Sequence, residues 1–210
     1  MIAARHPIKI TIHIGGIPVK KALALILCLA LLFSCACAEE SSSKFDMRLF
    51  TFEYPVDYLP IYSATIDKIL SDPEILNHLL SAGFDTSALD LIKNGTVAGL
   101  CGPDFTGRMD ITTSIIYGIN MNHLYLNKRQ MFSNYVKQFA SLGISEDEIE
   151  FLGFTEFGTN AYFSMKINHP GLEAEVYIIC NNKGTLCNFS FYSPFDETAR
   201  DMILSSFAYK

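Results

Sequence analysis

The chain is 210 residues long, 50% hydrophobic and 18% charged, with 16 Phe, 10 Tyr and no Trp. It is too apolar and aromatic to be a disordered chain, and too short for a multi-domain assembly. Its formal charge of −6 and its six cysteines are both shaped by the N-terminal segment.

In residues 22–33 an unbroken apolar run follows Lys20 and Lys21. It gives way to Ser34-Cys35-Ala36-Cys37-Ala38 and then to the polar stretch 39–43. A basic start, twelve apolar residues and small residues at the exit predict a secretory signal over 1–38, too short to span a bilayer stably. The β-branched stretch before Lys20 has no evident role in translocation. Val19, read from a GTG codon, is the alternative true start, with Gly15-Gly16 encoding a ribosome-binding site; this implies a bacterial source. Two processing routes stay open. Ala36-Cys37-Ala38 is an A-x-A site that would release a soluble protein from Glu39, whereas Leu32-Phe33-Ser34-Cys35 resembles a lipobox that would leave Cys35 acylated. Either route puts the protein outside the cell or on the outer face of the cytoplasmic membrane. Contact with the membrane is expected only through the signal or the lipid anchor.

Residues 1–38 hold four basic and no acidic residues, so the remainder carries 12 Lys and Arg against 22 Asp and Glu, a net of −10. Such a domain repels phosphate backbones, which excludes nucleic acid as a partner.

Residues 39–45 read as a tether, and 46–210 as a single domain. The stretch 48–54 carries β-formers and is ended by Pro55. Over 72–93 a helical pair is predicted. Asp72 caps the first helix and Pro73 opens it; Asp85 precedes the second, and Asn94-Gly95 closes it. Its apolar side holds Ile75, Leu76, Leu79, Leu80, Leu89 and Ile92. Strands follow at 96–101 and 108–117; in the second, Met109, Ile111, Thr113, Ile115 and Tyr117 alternate with Arg108, Asp110, Thr112 and Ser114. The segment 127–142 reads as the longest helix, with Phe132, Val136, Phe139 and Ala140 on one side and Gly143 as its stop. A meander is expected over strands 148–155, 160–168, 172–180 and 185–192, then a closing helix over 194–206. The meander's second face holds Tyr162, Tyr177, Ile179, Leu186 and Tyr192, and the helical pair is the expected cover. The fold class is α+β: an antiparallel sheet layered with helices on both faces.

This order of elements resembles the PsbP-like fold, an α/β/α sandwich shared by a subunit of the oxygen-evolving complex, a yeast Ran-binding protein and many bacterial lipoproteins. The resemblance rests on Phe50-Thr51-Phe52-Glu53-Tyr54-Pro55, the helix ending at Gly143, the meander, and Met202-Ile203-Leu204-Ser205-Ser206-Phe207. It covers roughly residues 46–208 and contains no diagnostic motif. The helical insertion makes the chain look more like small exported proteins of Gram-positive gut bacteria. The family implies interaction-type, mostly non-enzymatic roles and supplies no shared catalytic residues.

Several groups are candidates for chemistry. A two-residue turn at Lys183-Gly184 would place Cys180 opposite Cys187, a pair open to a cross-strand disulfide outside the cell; in another register they are buried free thiols. Cys101 precedes Gly102-Pro103, as a nucleophile or as a buried strand-end cysteine. His78, His123 and His169 lack metal-ligand spacing, and no cofactor motif is present. Ser145 and Glu148 form a capping box by spacing. Tyr162, Tyr177 and Tyr192 are the candidate binding surface if exposed, and core if covered. The expected function is a non-catalytic binding or accessory protein of the bacterial cell envelope, its partner a protein, peptide or glycan. The alternatives are an envelope enzyme using Cys101 or a carboxylate pair, and a carrier of apolar ligands.

Overall fold

The computed structural model describes residues 13–14, 17–18 and 42–210. His13–Ile14 and Ile17–Pro18 pair as two antiparallel strands. The signal over 1–38, the start at Val19 and Cys35 otherwise lie outside the described residues.

The compact unit begins at Ser42, within the stretch expected as a tether. Residues Ser42–Asp46 form β1, which pairs with β2 (Phe50–Pro55). The reason is local: Phe45 is buried and stacks on Phe52, ring centroids 4.7 Å apart. Phe50, Phe52 and Tyr54 alternate inward along β2. The last strand of the chain, β10 (Ala208–Tyr209), pairs with β2 from the other side and completes a three-stranded sheet.

The main sheet has seven strands. In chain order they are β3 (Leu59–Ile61), β4 (Val97–Cys101), β5 (Arg108–Ile115), β6 (Ile149–Phe157), β7 (Asn160–His169), β8 (Leu172–Cys180) and β9 (Thr185–Tyr192). In space they run β3-β4-β5-β9-β8-β7-β6, with every neighbour antiparallel. Between β3 and β4 come three helices rather than the expected two: α1 (Ile66–Leu70), α2 (Pro73–Ser81) and α3 (Thr86–Lys93). The side chains of Asp72 and Asp85 cap α2 and α3 as their positions predict. Leu80, expected on the apolar side, is exposed.

The helix expected over 127–142 is α5 (Lys128–Ala140), and an unexpected short helix, α4 (Met121–Leu126), precedes it. Glu197–Ser206 forms α6, capped by the Asp196 carboxylate.

Both faces of the main sheet are covered. On one, β1, β2 and α6 bury Tyr162, Tyr177, Phe189 and Phe191. On the other, α4 and α5 cover Phe163, Met165, Val176 and Ile178, while α1–α3 cluster with Ile61 and Cys101 at the β3–β4 edge. The fold is α+β, antiparallel sheets layered with helices.

Candidate functional site

The strands β5 and β9 are neighbours in the sheet. Their alternation sends Met109, Ile111, Cys187, Phe189 and Phe191 into the core beneath β2 and α6. On the opposite face the same two strands carry polar side chains: Thr112 stands across from Asn188, Asp110 from Ser190, Arg108 from Tyr192, and Ser114 from the apolar Leu186. Of this strip Leu186 belongs to the apolar cluster that packs against α5, while the α1–α3 cluster lies at the β3–β4 edge. A cavity of about 330 Å³ opens there.

The floor of this cavity is Thr112, Ser114, Leu186 and Asn188. Its wall is α5, whose Met131, Asn134, Tyr135 and Gln138 share one helical side by their three- and four-residue steps. Ile116 closes the end beyond β5. Burial pushes the Tyr135 phenol up to about 12, so it stays neutral. Asn134 Oδ1 accepts from Gln130 Nε2 at 3.1 Å. Asn188 Oδ1 is buried and has no hydrogen-bond partner. An orphaned acceptor of this kind costs about 1–3 kcal/mol, so its retention in a central strand calls for a reason.

Past the cavity the face ends in a charged clamp. Arg108 Nε donates to Asp110 Oδ1 at 2.9 Å, and Nη2 meets the other carboxylate oxygen. Arg108 Nη1 donates to the Gly83 carbonyl, and the guanidinium lies 4.3 Å from the Phe84 ring centroid and 4.9 Å from that of Tyr192. Arg108 thus fastens α2 and its following turn to β5. Burial raises the Asp110 pKa, and Arg108 opposes the rise. The pair is mutually neutralising, and its groups face each other rather than a ligand.

A second cavity, of about 270 Å³, lies between β8 and the start of α6. Of its charged lining residues Lys166, Glu173, Glu175, Glu197 and Arg200, two pair with each other: Arg200 Nη1 contacts Glu175 Oε2 at 2.7 Å, while Arg200 Nη2 contacts Asp201 at 2.9 Å and the Tyr177 hydroxyl donates to Glu175 at 2.8 Å. These bonds join α6 to the sheet.

The residues singled out by sequence fall elsewhere. Cys180 pairs with Leu186 and Cys187 with Ile179, so the two thiols point to opposite faces and all three described cysteines are free. The disulfide expectation is corrected by the turn. Its loop has three residues, 182–184, with Gly184 left-handed at φ +79°. Asn181 Oδ1 accepts from the amides of both Lys183 and Thr185 at 2.9 Å, fixing that geometry. Cys101 is fully buried, and burial pushes its thiol up to about 11. It is protonated at neutral pH and shielded from substrate, which removes the basis for a thiolate nucleophile there.

Tyr162 and Tyr177 do not form an exposed surface. They are 0% and 4% exposed, 6.2 Å apart at their ring centroids and nearly perpendicular. Their cover is α6 and the three-stranded sheet, not the helical insertion; the Tyr162 hydroxyl donates to the Leu204 carbonyl at 2.6 Å. Tyr192 is on the other face, against Arg108. The β5–β9 cavity is lined by six residues that carry a hydroxyl or an amide and by the apolar Ile116, Met131 and Leu186. The signal for this site was present in the sequence as the polar half of the β5 alternation. Its meaning depended on β5 pairing with β9, which sequence did not reveal.

Among the described residues, no group of three or more His, Cys, Asp and Glu is arranged to hold a metal ion. No described helix is long and apolar enough to cross a membrane.

No family model matches the chain, and no curated protein does. Solved structures do. The chain is similar to the solution structure of PsbP from the cyanobacterium Synechocystis, with a TM-score of 0.49 and 12% identity, covering 83% of this chain and 95% of that one. It is also similar to a crystal structure of a Bacteroides thetaiotaomicron protein, with a TM-score of 0.43 and 12% identity over 81% of this chain. The chain spans about half the length of the Bacteroides protein, 49%. These are likenesses of fold.

Proposed function

We propose that the protein is an exported, non-catalytic binding or accessory protein of the bacterial cell envelope, and that it binds through the β5–β9 groove. The observation that carries the reading is the open cavity in the middle of the sheet, floored by Thr112, Ser114 and Asn188 and walled by Asn134, Tyr135 and Gln138. Export is supported by Lys20-Lys21, the apolar run 22–33 and the small-residue exit at 34–38. A non-catalytic role is supported by the burial of Cys101, Cys180 and Cys187, whose pKa values are all raised by it.

Fractionation of cells and medium tests the export. The processed chain is expected in the medium or on the membrane; a chain of unprocessed mass in the cytoplasm contradicts the reading. Palmitate labelling of the wild type and Cys35→Ala separates the two forms, because only the lipid-anchored one loses label on substitution.

A further inference from the structure

Resting on the reading of the β5–β9 groove as a binding site, we infer that its ligand is a neutral carbohydrate of one or two sugar units. The polar groups that line the cavity are hydroxyls and amides alone: Thr112, Ser114, Asn134, Tyr135, Gln138 and Asn188. None supplies a charge at neutral pH, and the nearest ion pair on the same face, Arg108 with Asp110, is closed on itself. A charged ligand would lose its hydration here and gain no counter-charge, so phosphates, carboxylates and amines are disfavoured.

The remaining choice is between neutral polar ligands. Hydroxyls both donate and accept, and each amide offers donors beside an acceptor, so the lining matches the adjacent hydroxyls of a sugar ring. Asn188 lies in the floor between the hydroxyls of Thr112 and Ser114 and the α5 wall. The apolar residues Met131, Leu186 and Ile116 provide the complementary surface for the C–H face of the ring. A peptide bound through its backbone would need an open strand edge. This floor is instead the face of β5 and β9, each paired on both sides. The volume, about 330 Å³, lies at the small end of the range for small-molecule sites.

The test is an NMR titration of the ¹⁵N-labelled processed protein with cellobiose, maltose and N,N′-diacetylchitobiose, with trialanine as the peptide probe. At least one disaccharide is expected to move amide signals at 112–116, 134–138 and 186–190. Asn188→Ala is expected to weaken that sugar about tenfold, the effect of losing a buried hydrogen bond in the complex. Gln138→Ala, in the α5 wall of the groove and itself exposed, gives an independent variant should the strand substitution fail to fold. Shifts at these positions with trialanine and none with the sugars would overturn the ligand class while leaving the groove a binding site. No shifts there with any probe would overturn both.

Discussion

Arg108 is the residue on which the most depends. Its guanidinium joins the Asp110 carboxylate, the Gly83 carbonyl and two aromatic rings, and the side chains of the ion pair are only 16% and 11% exposed. Arg108→Met leaves Asp110 buried without a counter-charge and is expected to destabilise the fold by about 3–5 kcal/mol. The double variant Arg108→Met, Asp110→Leu should recover most of that loss in urea unfolding; no recovery would show that the pair matters through packing alone. Sequence displayed Arg108 and Asp110 as alternating polar residues of a strand and could not show that both are buried. Their burial comes from Phe84 and Tyr192, 24 and 84 positions away. The cysteines illustrate the same limit: their identities were plain, but which face each occupies followed from the size of a turn.

That turn belongs to the scale of elements. The strand β8 is apolar on both faces, with Val176 and Ile178 to one side and Tyr177 and Ile179 to the other. Parity therefore could not choose the register: Val176 and Ile178 would face Phe191 and Phe189 in one, whereas in the observed one they face Ser190 and Asn188 while Tyr177 meets Phe189. Gly184 and the Asn181 side chain chose it instead. A Cβ at Gly184 would sit 2.2 Å from the Ile116 carbonyl oxygen, and φ there is +79°. Gly184→Ala is expected to destabilise the protein by about 2–3 kcal/mol, read as a lower urea midpoint with an unchanged slope. A variant as stable as wild type would argue against this register. By contrast, α2, α3 and the β7–β8 hairpin were legible, since Asp72, Asp85 and Pro170-Gly171 act locally. Strand β3, helix α1 and strand β10, of three, five and two residues, were too short to announce themselves by periodicity.

At the scale of the whole molecule, the layered α+β arrangement was legible from the order of elements, but the cover over the tyrosine face was not. That cover is built from the two ends of the described domain. Phe45 comes from the stretch that read as a tether, Tyr209 from the penultimate residue, and β2 sits between β1 and β10. With that face filled and the opposite one largely occupied by α4, α5 and α1–α3, the β5–β9 strip still opens into a cavity of about 330 Å³. The central claim is that this strip is held open for binding and at the expense of stability. Thermal unfolding of Asn188→Leu tests it most directly, since leucine replaces an unpartnered buried acceptor beside a cavity with room for it. The account predicts a midpoint about 2–4 °C above wild type, from removing about 1 kcal/mol of unsatisfied burial. A midpoint below wild type would make Asn188 a structural residue and contradict the account.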